Sequence, residues 1–207
     1  MWLLHSIKRH GLPLLLALLL SACASMPGGN RVAAPDGEAA TVPAAALTLY
    51  EQAVAAMAAG EDVEAQLRFS EFLLRYPDYP GAHVNMAILQ ARAGDDEQAE
   101  ASLERALQLN PQHAAALNQR GMLLRRQGRF EEAAAAYLAA ASADPSYALP
   151  HYNLGVLNEL YLQRLADALL HFQKYQALGG DDAEVEKWIV DLERRIAASQ
   201  RTANVTE

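Results

Sequence analysis

Four series of residues recur along this chain at a fixed step of 34 positions. Gly60, Gly94 and Gly128 form one, and Pro77, Pro111 and Pro145 another. Ala65, Ala99 and Ala133 form the third, and Phe69, Leu103 and Tyr137 the fourth. A period of this length, ordered glycine, small residue, large apolar residue, proline, specifies helix–turn–helix units stacked into an all-α solenoid. No such unit buries its apolar face alone, so each depends on its neighbour. Stacked helix pairs build a groove rather than a catalytic pocket, and the expected role is interaction.

The repeat body is expected over residues 45–180, with units at about 46–79, 80–113, 114–147 and 148–180. The third is the most regular. Leu117, Gly121 and Leu124 belong to its first helix, Gly128-Arg129-Phe130 to its turn, and Ala133, Tyr137 and Ala140 to its second helix. Gly121 and Ala133 are small where two helices cross closely, and Tyr137 is large where a gap must be filled. Pro145 stops the second helix, because it lacks an N–H and restricts the residue before it. The second copy keeps Ala87, Gly94, Ala99, Leu103, Ala106 and Pro111. The first is worn in its opening helix, where Gln52 and Ala53 stand in place of Leu and Gly. This pattern resembles the tetratricopeptide repeat, and the resemblance implies that fold and a protein-binding role.

The fourth copy carries an extra residue. Gly121 and Ala133 are 12 positions apart, but Gly155 and Ala168 are 13, and the turn glycine is missing. The insertion around Tyr161-Leu162-Gln163 predicts an extended or bulged first helix. Tyr175 stands where the second and third copies have alanine, which predicts a splayed pair. Gly179-Gly180 ends the helix. A capping helix is expected over 181–199, with Asp181 and Glu184 as its capping box. Val185, Trp188, Ile189, Leu192 and Ile196 form its apolar stripe, and residues 200–207 read as a disordered tail.

The chain begins with a secretory pattern over residues 1–22. Lys8 and Arg9 precede an apolar run, Leu12–Leu20, of about nine residues. Crossing about 30 Å of hydrocarbon takes about 20 helical residues, so this run is too short to be a transmembrane span. Leu20-Ser21-Ala22-Cys23, ending in the chain's one cysteine, looks like a bacterial lipobox. The resemblance implies a lipidated N-terminal Cys23, anchored by two or three acyl chains. The alternative is a plain signal peptide cut near Ala22. Ala24, rather than Asp, follows the cysteine, which in enterobacterial-type sorting implies the outer membrane. Residues 23–44 hold Met26-Pro27-Gly28-Gly29, Ala34-Pro35-Asp36-Gly37 and Val42-Pro43 without an apolar period, and read as a flexible linker. A packed N-terminal arm is the alternative.

Charge and chemistry narrow the role. The chain has 17 basic and 25 acidic residues and a net charge of −8. Without residues 1–22 the balance is 15 to 25, hence −10. This argues against nucleic acid as a partner. His83, His113, His151 and His171 form no zinc spacing, and no nucleophile elbow or phosphate loop is present. The expectation is a non-enzyme with no metal, cofactor or small-molecule substrate.

The first helix of each repeat is expected to line a concave face with Tyr50, Val54, Val84, Ile88, Asn118, Met122, Tyr152 and Val156. Arg92, Arg125 and Arg126 lie one turn further along. A greasy strip beside three guanidinium groups suits an extended or helical peptide with apolar anchors and a carboxylate. Many of these apolar residues would alternatively pack between helices. Chaperone-binding relatives use polar clamp residues where Val54, Ile88 and Met122 stand, so that ligand type is not expected. The chain resembles tetratricopeptide lipoproteins of pilus assembly and secretin targeting, and small repeat proteins of TonB-type systems. An envelope protein or peptide is the implied partner, with the membrane engaged through the lipid. Regulation of peptidoglycan synthases or hydrolases is the alternative.

Overall fold

A computed structural model describes residues 43–205. Cys23, the leader and residues 23–42 of the linker lie outside the described residues. The described residues form nine helices and no strand. These are α1 (Ala44–Ala58), α2 (Asp62–Arg75), α3 (Pro80–Arg92), α4 (Asp96–Leu109), α5 (Ala114–Arg126), α6 (Phe130–Ala143), α7 (Leu149–Leu160), α8 (Leu165–Ala177) and α9 (Ala183–Val205). They pack as four helix pairs, α1/α2 to α7/α8, and α9 packs on α8. The first helices also touch one another, α3 against α5 and α5 against α7, so they form a continuous inner layer. Among the described residues no helix is long and apolar enough to cross a membrane.

The turns show how the period becomes geometry. Gly60, Gly94 and Gly128 have φ of 76°, 83° and 78°, a region that residues with a Cβ enter only with strain. Each closes a Schellman motif. Glu61 N donates to Ala56 O at 3.0 Å, Asp95 N to Gln90 O at 2.9 Å and Arg129 N to Leu124 O at 2.9 Å. The prolines follow directly on the caps Tyr76, Asn110 and Asp144, which end α2, α4 and α6.

The fourth pair departs from the expectation. Its first helix is not lengthened, since α7 stops at Leu160. The extra residue sits in the turn, where Gln163 takes a φ of 54° in place of glycine. Arg164 N closes the wider turn on Asn158 O at 2.8 Å. Local backbone strain at one residue replaces a helix bulge.

Small residues and rings hold each pair together. Ala65, Ala99, Ala133 and Ala168 are at most 1% exposed, and Phe69, Tyr137 and Phe172 are fully buried. A Cβ on Gly121 would stand 2.5 Å from the Tyr137 ring, and one on Gly155 2.5 Å from the Phe172 ring. Glycine at these sites is therefore a requirement of close approach.

The last helix closes the stack. Val185 and Leu192 are fully buried, and Ile189 joins them against Phe172 and Ala168. Trp188 packs on Phe172 at a ring distance of 5.4 Å and on Tyr152 at 6.1 Å. Its cap is Asp182, not Asp181: Glu184 N donates to Asp182 Oδ1 at 2.9 Å, while the Glu184 carboxylate pairs with Lys187. The helix also runs to Val205, past the expected boundary at 199. Tyr175, expected to splay α7 from α8, turns its ring toward Tyr152 at 5.4 Å and lies over Gly180.

The Tyr137 hydroxyl is buried with no hydrogen-bond partner among the described residues, and burial pushes its pKa up to about 12. Its value lies in the ring, not the oxygen. Tyr137→Phe is therefore expected to leave the melting temperature unchanged or raise it, because an unsatisfied hydroxyl is removed. Tyr137→Ala should cost about 3–5 kcal/mol. Chemical denaturation of both variants checks this, and a Phe variant as unstable as the Ala variant would contradict it.

Candidate functional site

The inner layer redistributes the residues expected to line a groove. Tyr50, Val84, Ile88 and Asn118 are at most 4% exposed and belong to the packing between helices. They are corrected from lining to core. Two of them also carry rungs between successive first helices. Asn85 Nδ2 donates to Tyr50 Oη at 2.9 Å, and Asn153 Nδ2 donates to Asn118 Oδ1 at 3.0 Å. Val54 is half-buried against the N-terminal core. Tyr152 and Val156 pack into the cluster of Phe172, Tyr175 and Trp188 that α9 completes. They are half-buried there as cap residues rather than free anchors.

Two of the three arginines are engaged as well. Arg92 Nη1 bonds Asp62 at 3.0 Å. Arg126 pairs with Asp96, and its other nitrogen donates to Ala91 O at 2.9 Å. Each bridge ties the end of a first helix to the start of the preceding second helix. Two further bridges of 2.7 Å join other elements: Arg164, the cap of α8, pairs with Glu131 at the start of α6, and Arg195 of α9 pairs with Glu159 near the end of α7. Exposed pairs of this kind contribute roughly 0–1 kcal/mol each, but they remove the charges from a partner's reach. Arg125 differs: it has no hydrogen bond or ion pair among the described residues.

Arg125 stands at a cavity of ≈ 230 Å³ between α3, α4 and α5. Ala87 and Ala91 line it from α3, Ala99 and Leu103 from α4, and Gln119, Met122, Leu123 and Arg126 from α5. Tyr161, in the widened turn after α7, closes one side and packs at a tilt on Phe130, with ring centroids 4.7 Å apart. Of the residues expected to face a partner, Met122, Arg125 and Arg126 meet here. Ala87, Ala91, Gln119 and Tyr161 were not expected. The available signal was Leu103, the aliphatic member of an otherwise aromatic series. Chemically the site offers an apolar floor, a thioether, one amide and one guanidinium without a carboxylate. It can hold an apolar side chain next to an acid. Among the described residues no cluster of three His, Cys, Asp or Glu side chains could hold a metal.

The tetratricopeptide repeat family model matches residues 50–114, 84–148 and 119–183, in overlapping units that span most of the described body. The chain is a tetratricopeptide repeat protein. No curated protein matches its sequence. Solved structures of similar fold include PilF of Pseudomonas aeruginosa, 23% identical over 76% of this chain and 73% of that one, with a TM-score of 0.67. MamA from Desulfovibrio magneticus RS-1 is 20% identical over 79% of this chain and 92% of its own, with a TM-score of 0.61. The first repeat domain of Spaghetti (RPAP3), bound to the HSP90 peptide SRMEEVD, is 24% identical over 58% of this chain and 93% of that one, at 0.51. These likenesses establish the fold. A tetratricopeptide repeat fold suits a scaffold for protein–protein interaction.

One polar feature of this repeat protein lies away from the cavity. His151 of α7 and His171 of α8 stack at 5.3 Å with Nδ1 atoms 3.1 Å apart. Burial lowers the His171 pKa to about 4, helped by His151 and Lys174 and opposed by Asp167. The folded protein therefore refuses a proton that the unfolded chain accepts below its ordinary 6.5. Stability is full above that value and falls as the pH drops from 6.5 toward about 4. Thermal melts between about pH 7.5 and about pH 4.5 should show this loss, and His171→Gln should flatten the slope. An unchanged slope in that variant would place the acid sensitivity elsewhere.

Proposed function

We propose that this chain is a lipid-anchored scaffold of a bacterial envelope that holds a protein partner at the cavity between α3 and α5. The observation that carries the reading is the unpaired Arg125 guanidinium beside an apolar cavity, on a stack whose other groove arginines are already paired. The repeat family supports an interaction role. Leu20-Ser21-Ala22-Cys23 supports the anchor, and Ala24 supports the outer membrane as its address. About 20 residues of linker would give a tether with a root-mean-square span of roughly 25 Å. The working role is assembly of an envelope machine such as a pilus or secretion system, in line with the lipoproteins that the sequence resembles.

One fractionation experiment tests both halves. Cys23→Ala should lose palmitate labelling and leave the membrane fraction. Arg125→Glu with Met122→Ala should stay in the membrane but lose cross-linking to its partner, with a helical signal like that of the parent. A central interface truncation typically costs about 2 kcal/mol or more, roughly thirtyfold in Kd. Persistent labelling of the first variant would remove the anchor, and persistent cross-linking of the second would remove the cavity as the binding surface.

A further inference from the structure

Two regular features of the stack are missing at one junction. The first is the ring. Pairs α1/α2, α5/α6 and α7/α8 bury Phe69, Tyr137 and Phe172 at equivalent positions. Pair α3/α4 has Leu103 there, and Leu103 lines the cavity together with Ala87. The second is the polar rung. Tyr50 and Asn85 bond between α1 and α3, and Asn118 and Asn153 bond between α5 and α7. The corresponding pair between α3 and α5 is Val84 and Gln119. Val84 offers no polar atom, and Gln119 has no hydrogen bond among the described residues. Its side chain lines the same cavity.

We propose that the cavity receives one aromatic side chain of a partner peptide, with an adjacent carboxylate on Arg125 and the peptide backbone on Gln119. This rests on the reading of the cavity as the partner site, and it specifies the chemistry of the occupant. The protein's own architecture shows the fit: at the equivalent place in three other pairs a ring fills the space. Met122 and Tyr161 supply sulfur and aromatic contacts that favour a ring over an aliphatic chain. Arg126 is neutralised by Asp96, so the rim carries one uncompensated guanidinium and calls for one carboxylate.

The test uses the purified full-length protein and the peptide acetyl-Gly-Asp-Phe-Gly-amide, whose single carboxylate is the Asp, measured by calorimetry. One-to-one binding is expected. Replacing Phe by Ala or Leu should weaken it, the Ala peptide by about tenfold or more. Leu103→Phe supplies the ring internally, and Ala53 with Phe69 shows that this register accepts Phe beside alanine. That variant should melt roughly 2–4 °C higher and lose the peptide. Arg125→Ala leaves the core untouched. It should keep the parent's melting temperature and abolish the preference for the Asp over the Asn peptide.

No binding by the parent, or equal binding of the Phe and Leu peptides, overturns the proposal. So does peptide binding retained in Leu103→Phe, or an Asp preference retained in Arg125→Ala. If the cellular partner is lost by the Arg125→Glu variant but still cross-linked by Leu103→Phe, the ring is refuted while the scaffold reading survives.

Discussion

Close approach of paired helices is the constraint on which this structure depends. Within the pairs alanine or glycine stands at the close contact, and in three of the four pairs a buried ring fills the space beside it. Gly121 with Tyr137 and Gly155 with Phe172 are the tightest instances, since a single added Cβ would collide with the ring. Each pair presents an apolar face that only the next pair can cover, so stability is shared along the stack. The end of the stack has no next pair. Helix α9 takes that part, with Val185, Ile189 and Leu192 against Phe172.

The same constraint explains the site. A repeat that keeps its spacing but substitutes an aliphatic residue for the ring does not collapse, because its neighbours hold the helices apart. Leu103 is such a substitution, and space remains beside it. Around that space the salt bridges Arg92–Asp62 and Arg126–Asp96 fix the inner layer and consume its charges, leaving Arg125 unpaired. The cavity is thus a vacancy in a regular lattice, bordered by side chains that the lattice does not use.

Most of the fold was legible in the 34-residue step, because turn glycines, small contact residues and terminating prolines each have a local physical cause. The fourth pair was legible only in part. An extra residue between Gly155 and Ala168 can be absorbed by a helix or by a turn, and the spacing does not distinguish them. The structure chose the turn by placing Gln163 at positive φ, which no residue preference would indicate. Asp181 and Asp182 are equally good caps on paper, and the chain direction after Gly179-Gly180 selected Asp182. The groove was less legible still. Repeat position tells which side of a first helix a residue occupies, but the tilt between repeats decides whether the next helix covers it. Tyr50, Val84, Ile88 and Asn118 were covered. Tyr152 was recruited by a helix outside the repeats. The arginine pairing does have a signal in the sequence: Arg92 and Arg126 each follow their aspartate by 30 positions.

A partner held at the cavity beside Arg125, between α3, α4 and α5, is the core of the proposed function. Methyl NMR of the full-length protein during titration with its cross-linked partner tests this most directly. The account predicts shifts concentrated on the methyl groups of Ala87, Ala91, Leu103 and Met122, with those of Val54 and Val156 unmoved. Shifts centred on Val156 and α9, or spread evenly along the first helices, would contradict it.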